Sequence, residues 1–169
     1  MGGAMTPRPV RLLFVCVGNT CRSPLAVGVA SAVLGARVHA ESAGITETGC
    51  PATAEAIAVL RERFGIDLTA HRSRHFYEVA LAQFDVLIAL DPIVYAPLRA
   101  QCPSPPPQIL LWPLDDPYLE GPDAYRQCVT QLQATIEAHA SQLLRCERRK
   151  CCPHEDLRRS LSAETHQCD

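Results

Sequence analysis

Four β-prone runs, Val10 to Val17, Arg37 to Ala43, Phe84 to Leu90 and Gln108 to Trp112, recur along the chain with helix-forming sequence between them. The first and third are apolar at nearly every position, and a strand without polar alternation is one with both faces buried. Both faces are covered when each strand is followed by a helix that crosses back over the sheet. The alternation therefore predicts an α/β domain built on a parallel sheet, with ligands bound beyond the C-terminal ends of its strands.

The helices have their own signals. Ser23 stands where an N-cap belongs and Pro24 where the first helical residue belongs, with Leu25, Val29 and Val33 on one face and Gly35 at the end. Pro51 is expected to open a second helix with Ile57, Leu60 and Phe64 inward and Gly65 beyond it. A short helix near Phe76 to Ala82 and another over Pro92 to Ala100 follow. The last carries Tyr125, Cys128, Leu132, Ile136, Ala140 and Leu143 as one apolar stripe.

With 169 residues, 47% of them hydrophobic, the chain has material for one core. A single domain over 8–145 is expected, followed by a Cys- and Arg-rich tail over 146–169 that is expected to be disordered. A net charge of -2 offers no broad basic surface, so neither nucleic acid nor an anionic membrane is expected as a partner. The apolar runs are too short to span a bilayer and the first residues lack a signal-peptide core, so a cytoplasmic protein is expected. The nine cysteines are an odd number in a chain without an export signal, and most are expected to be thiols. The start Met1-Gly2-Gly3-Ala4-Met5-Thr6 loosely fits a myristoylation pattern, and Met5 is an alternative first residue.

The first strand runs straight into Cys16-Val17-Gly18-Asn19-Thr20-Cys21-Arg22-Ser23-Pro24. The N–H groups of Val17, Gly18, Asn19, Thr20, Cys21 and Arg22 can curl into an anion nest, and the following helix aims its positive end at the same point. Both are expected to lower the Cys16 thiol pKa, making it a nucleophile for phosphoryl transfer. Arg22 adds a planar fork for two phosphate oxygens, and Ser23 a donor for the sulfur as a leaving group. Gly18 and Asn19 tolerate the left-handed backbone of a tight nest. Spacing alone proves little: Cys152 and Arg158 share it, but with Pro153, Glu155 and Asp156 between them and no strand before them.

The run Leu13 to Pro24, with Glu41-Ser42-Ala43-Gly44, His71-Arg72-Ser73-Arg74 and Asp116-Pro117-Tyr118 further on, resembles the low-molecular-weight protein tyrosine phosphatases from about Val10 to Leu144. The resemblance implies a flavodoxin-like three-layer sandwich with a four-stranded parallel sheet, and a reaction on phosphorylated protein without metal or organic cofactor. It makes Cys16 the nucleophile and Asp116, with Asp115 as the adjacent competitor, the acid that protonates the leaving group and then activates water. It makes Asn19, Ser42 and His71 supports of the loop, Tyr118 a wall of the entrance, and Cys21 a reversible disulfide partner of the nucleophile. Inorganic phosphate and other oxyanions are expected as product or inhibitors.

The pattern also departs from the family's. Thr46-Glu47-Thr48 lacks the aromatic wall usual after the second strand in phosphotyrosine-directed members. Thr20 resembles the threonine of the protein-arginine phosphatases, so phosphoarginine is the alternative substrate. Arsenate reductases share the loop but need a cysteine pair after the third strand, where this chain has Leu90 and Asp91, with Cys102 beyond. A non-catalytic phosphate-binding module would need neither Cys16 nor Asp116. In the tail, Cys146, Cys151, Cys152, His154, His166 and Cys168 have zinc-binding chemistry, but their spacing matches no compact ligand pattern and no metal site is assigned.

Overall fold

The computed structural model describes residues 7–46, 48–104 and 106–145. The myristoylation pattern, the choice between Met1 and Met5, and the 146–169 tail with its Cys and His residues lie outside them. Strands β1 (Val10–Val15), β2 (Val38–Ala43), β3 (Val86–Ala89) and β4 (Gln108–Leu111) pair in parallel in the order β2-β1-β3-β4. Helices α1 (Arg22–Leu34), α2 (Ala54–Phe64), α3 (Pro92–Ala100) and α4 (Pro122–Arg145) complete the three layers. Val10, Leu12 and Phe14 of β1 face a core shared with α1, α2 and α4, whereas Leu13 and Val15 face a second core with α3. This is why β1 reads as apolar throughout. Neighbouring β1 and β3 send their helices to opposite sides of the sheet, and the divergence opens a crevice beyond their C-terminal ends. Among the described residues, no helix is long and apolar enough to cross a membrane.

Several boundaries differ from the sequence expectation, each for a local reason. Helix α1 begins at Arg22 with Cys21 at the N-cap, so Ser23 lies inside the first turn and its hydroxyl is turned to other use. Helix α2 begins at Ala54, because Thr53 caps it by accepting from the Ala56 N–H, and Pro51 stays in the approach. It buries Ala56, Val59 and Leu60, while Ile57 and Phe64 are half-buried. Contact with α1 at Gly28, where a Cβ would stand 2.5 Å from Leu60 Cδ1, draws that side of α2 inward. The expected short helix is two 3-10 turns, Phe76–Glu78 and Leu81–Gln83, separated by extended Val79. On α4, Val129 joins the buried stripe and Ala140 is only half-buried.

Candidate active site

The chain leaves β1 at Val15, and the Cys16 N–H still donates to the Ala43 carbonyl of β2 at 3.2 Å. The next residues turn back on themselves around Asn19, which is fully buried and holds φ 54°. Gly18, expected to share that left-handed backbone, does not adopt it. Asparagine suits the position twice, since it tolerates positive φ and its amide can replace the water it has lost. Its N–H reaches Cys16 Sγ at 3.2 Å, and its Nδ2 donates to Ser23 Oγ at 2.8 Å and Ser42 Oγ at 2.9 Å. Its Oδ1 accepts from the Arg74 N–H at 3.0 Å, and its carbonyl accepts from His71 Nε2 at 2.7 Å. Every polar group of this buried residue is thereby satisfied.

Ser42 and His71 thus sit behind the loop, away from the cavity that Cys16 lines. Burial holds the His71 pKa down, so the ring is neutral at pH 7 with its proton on Nε2, the atom that meets the Asn19 carbonyl. Gly44 lets the end of β2 approach: a Cβ there would stand 2.7 Å from the Val17 carbonyl oxygen and 2.9 Å from Asn19 Cβ. No larger residue fits without moving the loop.

The Ser23 hydroxyl already accepts from Asn19, so its own proton has two places to go. Cys16 Sγ lies at 3.0 Å and the Ala43 carbonyl at 3.4 Å, and the shorter contact selects the sulfur. Burial pushes the Cys16 thiol up, and the Ser23 hydroxyl and amide, the Arg22 charge and the Asn19 amide act against it without cancelling it. Against the expected lowering, burial at the end of a strand covered on both faces outweighs the Ser23 and Asn19 hydrogen bonds and the Arg22 charge.

Arg22 is almost wholly buried at the start of α1. Its Nη1 donates to Asp91 Oδ2 at 2.8 Å and the Leu114 carbonyl at 3.1 Å, and its Nη2 to Asp116 Oδ2 at 3.1 Å. Burial works against its charge, but Asp91, Cys16 and Asp116 outweigh that, so the guanidinium stays ionised. Asp91 caps α3 through the Ile93 N–H at 3.0 Å. Burial would raise its pKa, yet Arg22 and that amide hold it below the usual carboxylate range. Asp116, half-exposed on the loop between β4 and α4, accepts from the Tyr118 N–H at 3.2 Å.

These parts enclose a cavity of about 250 Å³ lined by Cys16, Val17, Gly18, Thr20, Cys21, Arg22, Thr46, Cys50, Asp116 and Tyr118. Among the described residues, Tyr118 is the only aromatic in that lining. Asn19 and Ser23 do not line it but hold Cys16 from beneath, and Asp115 faces a neighbouring groove with Glu120 and Cys128. Among the described residues no group of three or more His, Cys, Asp or Glu is placed to hold a metal ion.

Sequence reasoning missed Asp91 as the anchor of Arg22, Arg74 as a partner of Asn19, and Cys50 on the rim. An Asp directly before Pro92 was a readable helix-cap signal, and Asp91 serves as that cap. Its second bond, to a residue 69 positions away, had no local signal.

The family model described as low molecular weight phosphotyrosine protein phosphatase matches residues 11–150. Arsenate reductase 1 of Staphylococcus epidermidis is 32% identical over 133 residues, covering 76% of this chain and 94% of that protein. A low molecular weight protein tyrosine phosphatase from T. tengcongensis has a similar structure, with TM-score 0.71 and 32% identity over 79% of this chain and 99% of the other. An arginine phosphatase from Geobacillus stearothermophilus also reaches TM-score 0.71, at 26% identity, over 87% of this chain and all of the other (100%).

Proposed function

The chain belongs to the low molecular weight phosphotyrosine protein phosphatase family, and from that premise we propose that it hydrolyses phosphotyrosine on proteins through a cysteinyl-phosphate on Cys16. The carrying observation is that Cys16, Arg22 and Asp116, from two segments far apart in sequence, line one cavity. In this reading the phosphoryl oxygens bind the loop N–H groups and the Arg22 fork, competing with Asp116 for Nη2. Asp91 keeps its grip on Nη1, so the guanidinium does not swing away.

Cys16 gives its thiol proton to a phosphate oxygen as the substrate binds, the resulting thiolate attacks phosphorus in line with the leaving oxygen, and protonated Asp116 supplies that oxygen with a proton. Asp116, now a carboxylate, takes a proton from water as the water attacks the cysteinyl-phosphate. Ser23 donates to the departing sulfur, and inorganic phosphate is released. Cys21, which lines the same cavity, is the partner with which an oxidised Cys16 forms a reversible disulfide. Turnover of a phosphotyrosine peptide in reducing buffer tests the proposal. A well-folded protein with no activity, or a Cys16→Ser variant as active as the parent, would sink it.

A second substrate, phosphoarginine, is favoured by Thr20 in the cavity lining and by a rim with one aromatic, Tyr118, facing Thr46 and Cys50. A smaller polar wall suits a guanidinium leaving group better than a phenol. Comparison of kcat/KM on phosphotyrosine and phosphoarginine peptides decides between them. Arsenate reduction has less support: Asp91 stands after β3 and is bonded to Arg22 and Ile93, while Cys102 lies past the far end of α3, about 13 Å of helix away.

A further inference from the structure

We propose that Tyr125 sets how readily the Cys16–Cys21 pair oxidises, its phenol holding the Cys21 sulfur in the reduced state. The proposal rests on the reading of Cys21 as the disulfide partner of Cys16.

Tyr125 stands in the first turn of α4 and is 1% exposed. Packing against α1 would be met by any apolar side chain at this point of the stripe, so the hydroxyl calls for its own explanation. It lies 3.2 Å from Cys21 Sγ, at the N-cap of α1. Thr53 borders the same pair: its Oγ1 lies 3.7 Å from Cys21 Sγ, and it acts to lower the phenol pKa. Thr53 Oγ1 accepts from the Ala56 N–H at 3.3 Å and caps α2, so it is held in place beside the pair. Of the three hydroxyls near Cys21 Sγ, that of Tyr125 is the closest, at 3.2 Å against 3.7 Å for Thr20 and for Thr53, and its phenol is the donor to the sulfur. Burial, with Cys21 beside it, pushes the phenol up and keeps it a donor. The arrangement is tied to the loop itself, since the Thr53 N–H donates to the Thr20 carbonyl at 3.0 Å.

The redox step balances without further components once a peroxide is supplied. Cys16, reacting through its ionised fraction, takes one oxygen from hydrogen peroxide to give a sulfenic acid, and water is released. The Cys21 sulfur attacks the Cys16 sulfur, the S–S bond forms, the S–O bond breaks, and the Cys21 proton leaves with the hydroxyl as water. A disulfide sulfur is a poorer acceptor than a thiol or thiolate, and Cys21 must turn toward Cys16 to make the bond. The phenol thus stabilises the reduced pair and loses a partner on oxidation. Removing the hydroxyl should favour the disulfide.

The test uses the full chain and Tyr125→Phe, equilibrated in reduced and oxidised dithiothreitol, quenched with acid and read by peptide mass spectrometry for Cys16–Cys21. The expected result is an equilibrium shifted about fivefold toward the disulfide, equivalent to a midpoint about 20 mV more negative. Phosphatase activity in excess reductant should stay within about twofold of the parent. Melting temperature should fall for the reduced Tyr125→Phe protein and not for the oxidised one; an equal fall in both marks a packing role and overturns the proposal. So does a Cys16–Cys21 disulfide that forms in both proteins at the same midpoint. Absence of that disulfide from the oxidised parent protein overturns the reading of Cys21 first, and the role of Tyr125 with it.

Discussion

The two loops that meet at the cavity are built in opposite ways. The Cys16 loop is buried and over-determined: Asn19 alone makes five hydrogen bonds, to Cys16, Ser23, Ser42, His71 and Arg74. The Asp116 loop is held loosely. Asp116 and Tyr118 are half-exposed, Leu119 is 84% exposed, and Leu119 carries φ 65° with no hydrogen-bonding side chain to ease it. A cradle for an anion gains from being rigid, because donors already aimed cost nothing to reorganise. Under the proposed mechanism, an acid that must leave Arg22, protonate one oxygen and then activate water gains from a loop that can shift.

Asp116→Asn should break the soft side of this comparison most visibly. It should slow turnover by about 10²–10⁴ for substrates with poor leaving groups, and less for good ones, with melting temperature nearly unchanged. A leaving-group series measures it, and equal slowing across the series would remove Asp116 from the acid role. Asn19→Ala attacks the rigid side. It strands buried partners on three sides and puts alanine at positive φ, so a loss of about 3 kcal/mol is expected in denaturant unfolding, together with loss of oxyanion binding.

Ser23→Ala is subtler, since α1 tolerates alanine. Because the Ser23 hydroxyl lowers a thiol that burial raises, its removal should move the pH midpoint of Cys16 alkylation further up. An unchanged midpoint would mean that the hydroxyl donates to Ala43 instead. The smallest effect should come from Leu119→Gly, which relieves the left-handed backbone and should stabilise the protein by up to about 1 kcal/mol. If the soft loop serves turnover, kcat should change more than KM in that variant.

Much of this was legible in advance, and the limits are instructive. Strand β1, the loop and helix that follow it, the proline-led helix α3, and Gly35 and Gly65 at helix ends all follow from neighbours in sequence. Ser23 shows where such reading fails. Its type suited an N-cap, but burial under the loop gave its hydroxyl to Cys16, and a helix with no side-chain cap resulted. Cys16 fails in the same direction, because its hydrogen bonds from Ser23 and Asn19 are local whereas the desolvation comes from everything packed around β1.

The sequence by itself determined the order of strand, loop and helix, and the placing of Cys16 and Arg22 at the two ends of that loop, since those features depend on backbone preference over a few residues. Tertiary structure alone decided which carboxylates hold Arg22, how closely Gly44 lets β2 approach Asn19, and that Tyr125 reaches Cys21 across 104 positions. Such contacts depend on strand order and on the angles at which helices leave the sheet. Those are set by packing the whole core and leave no mark on the residues beside them.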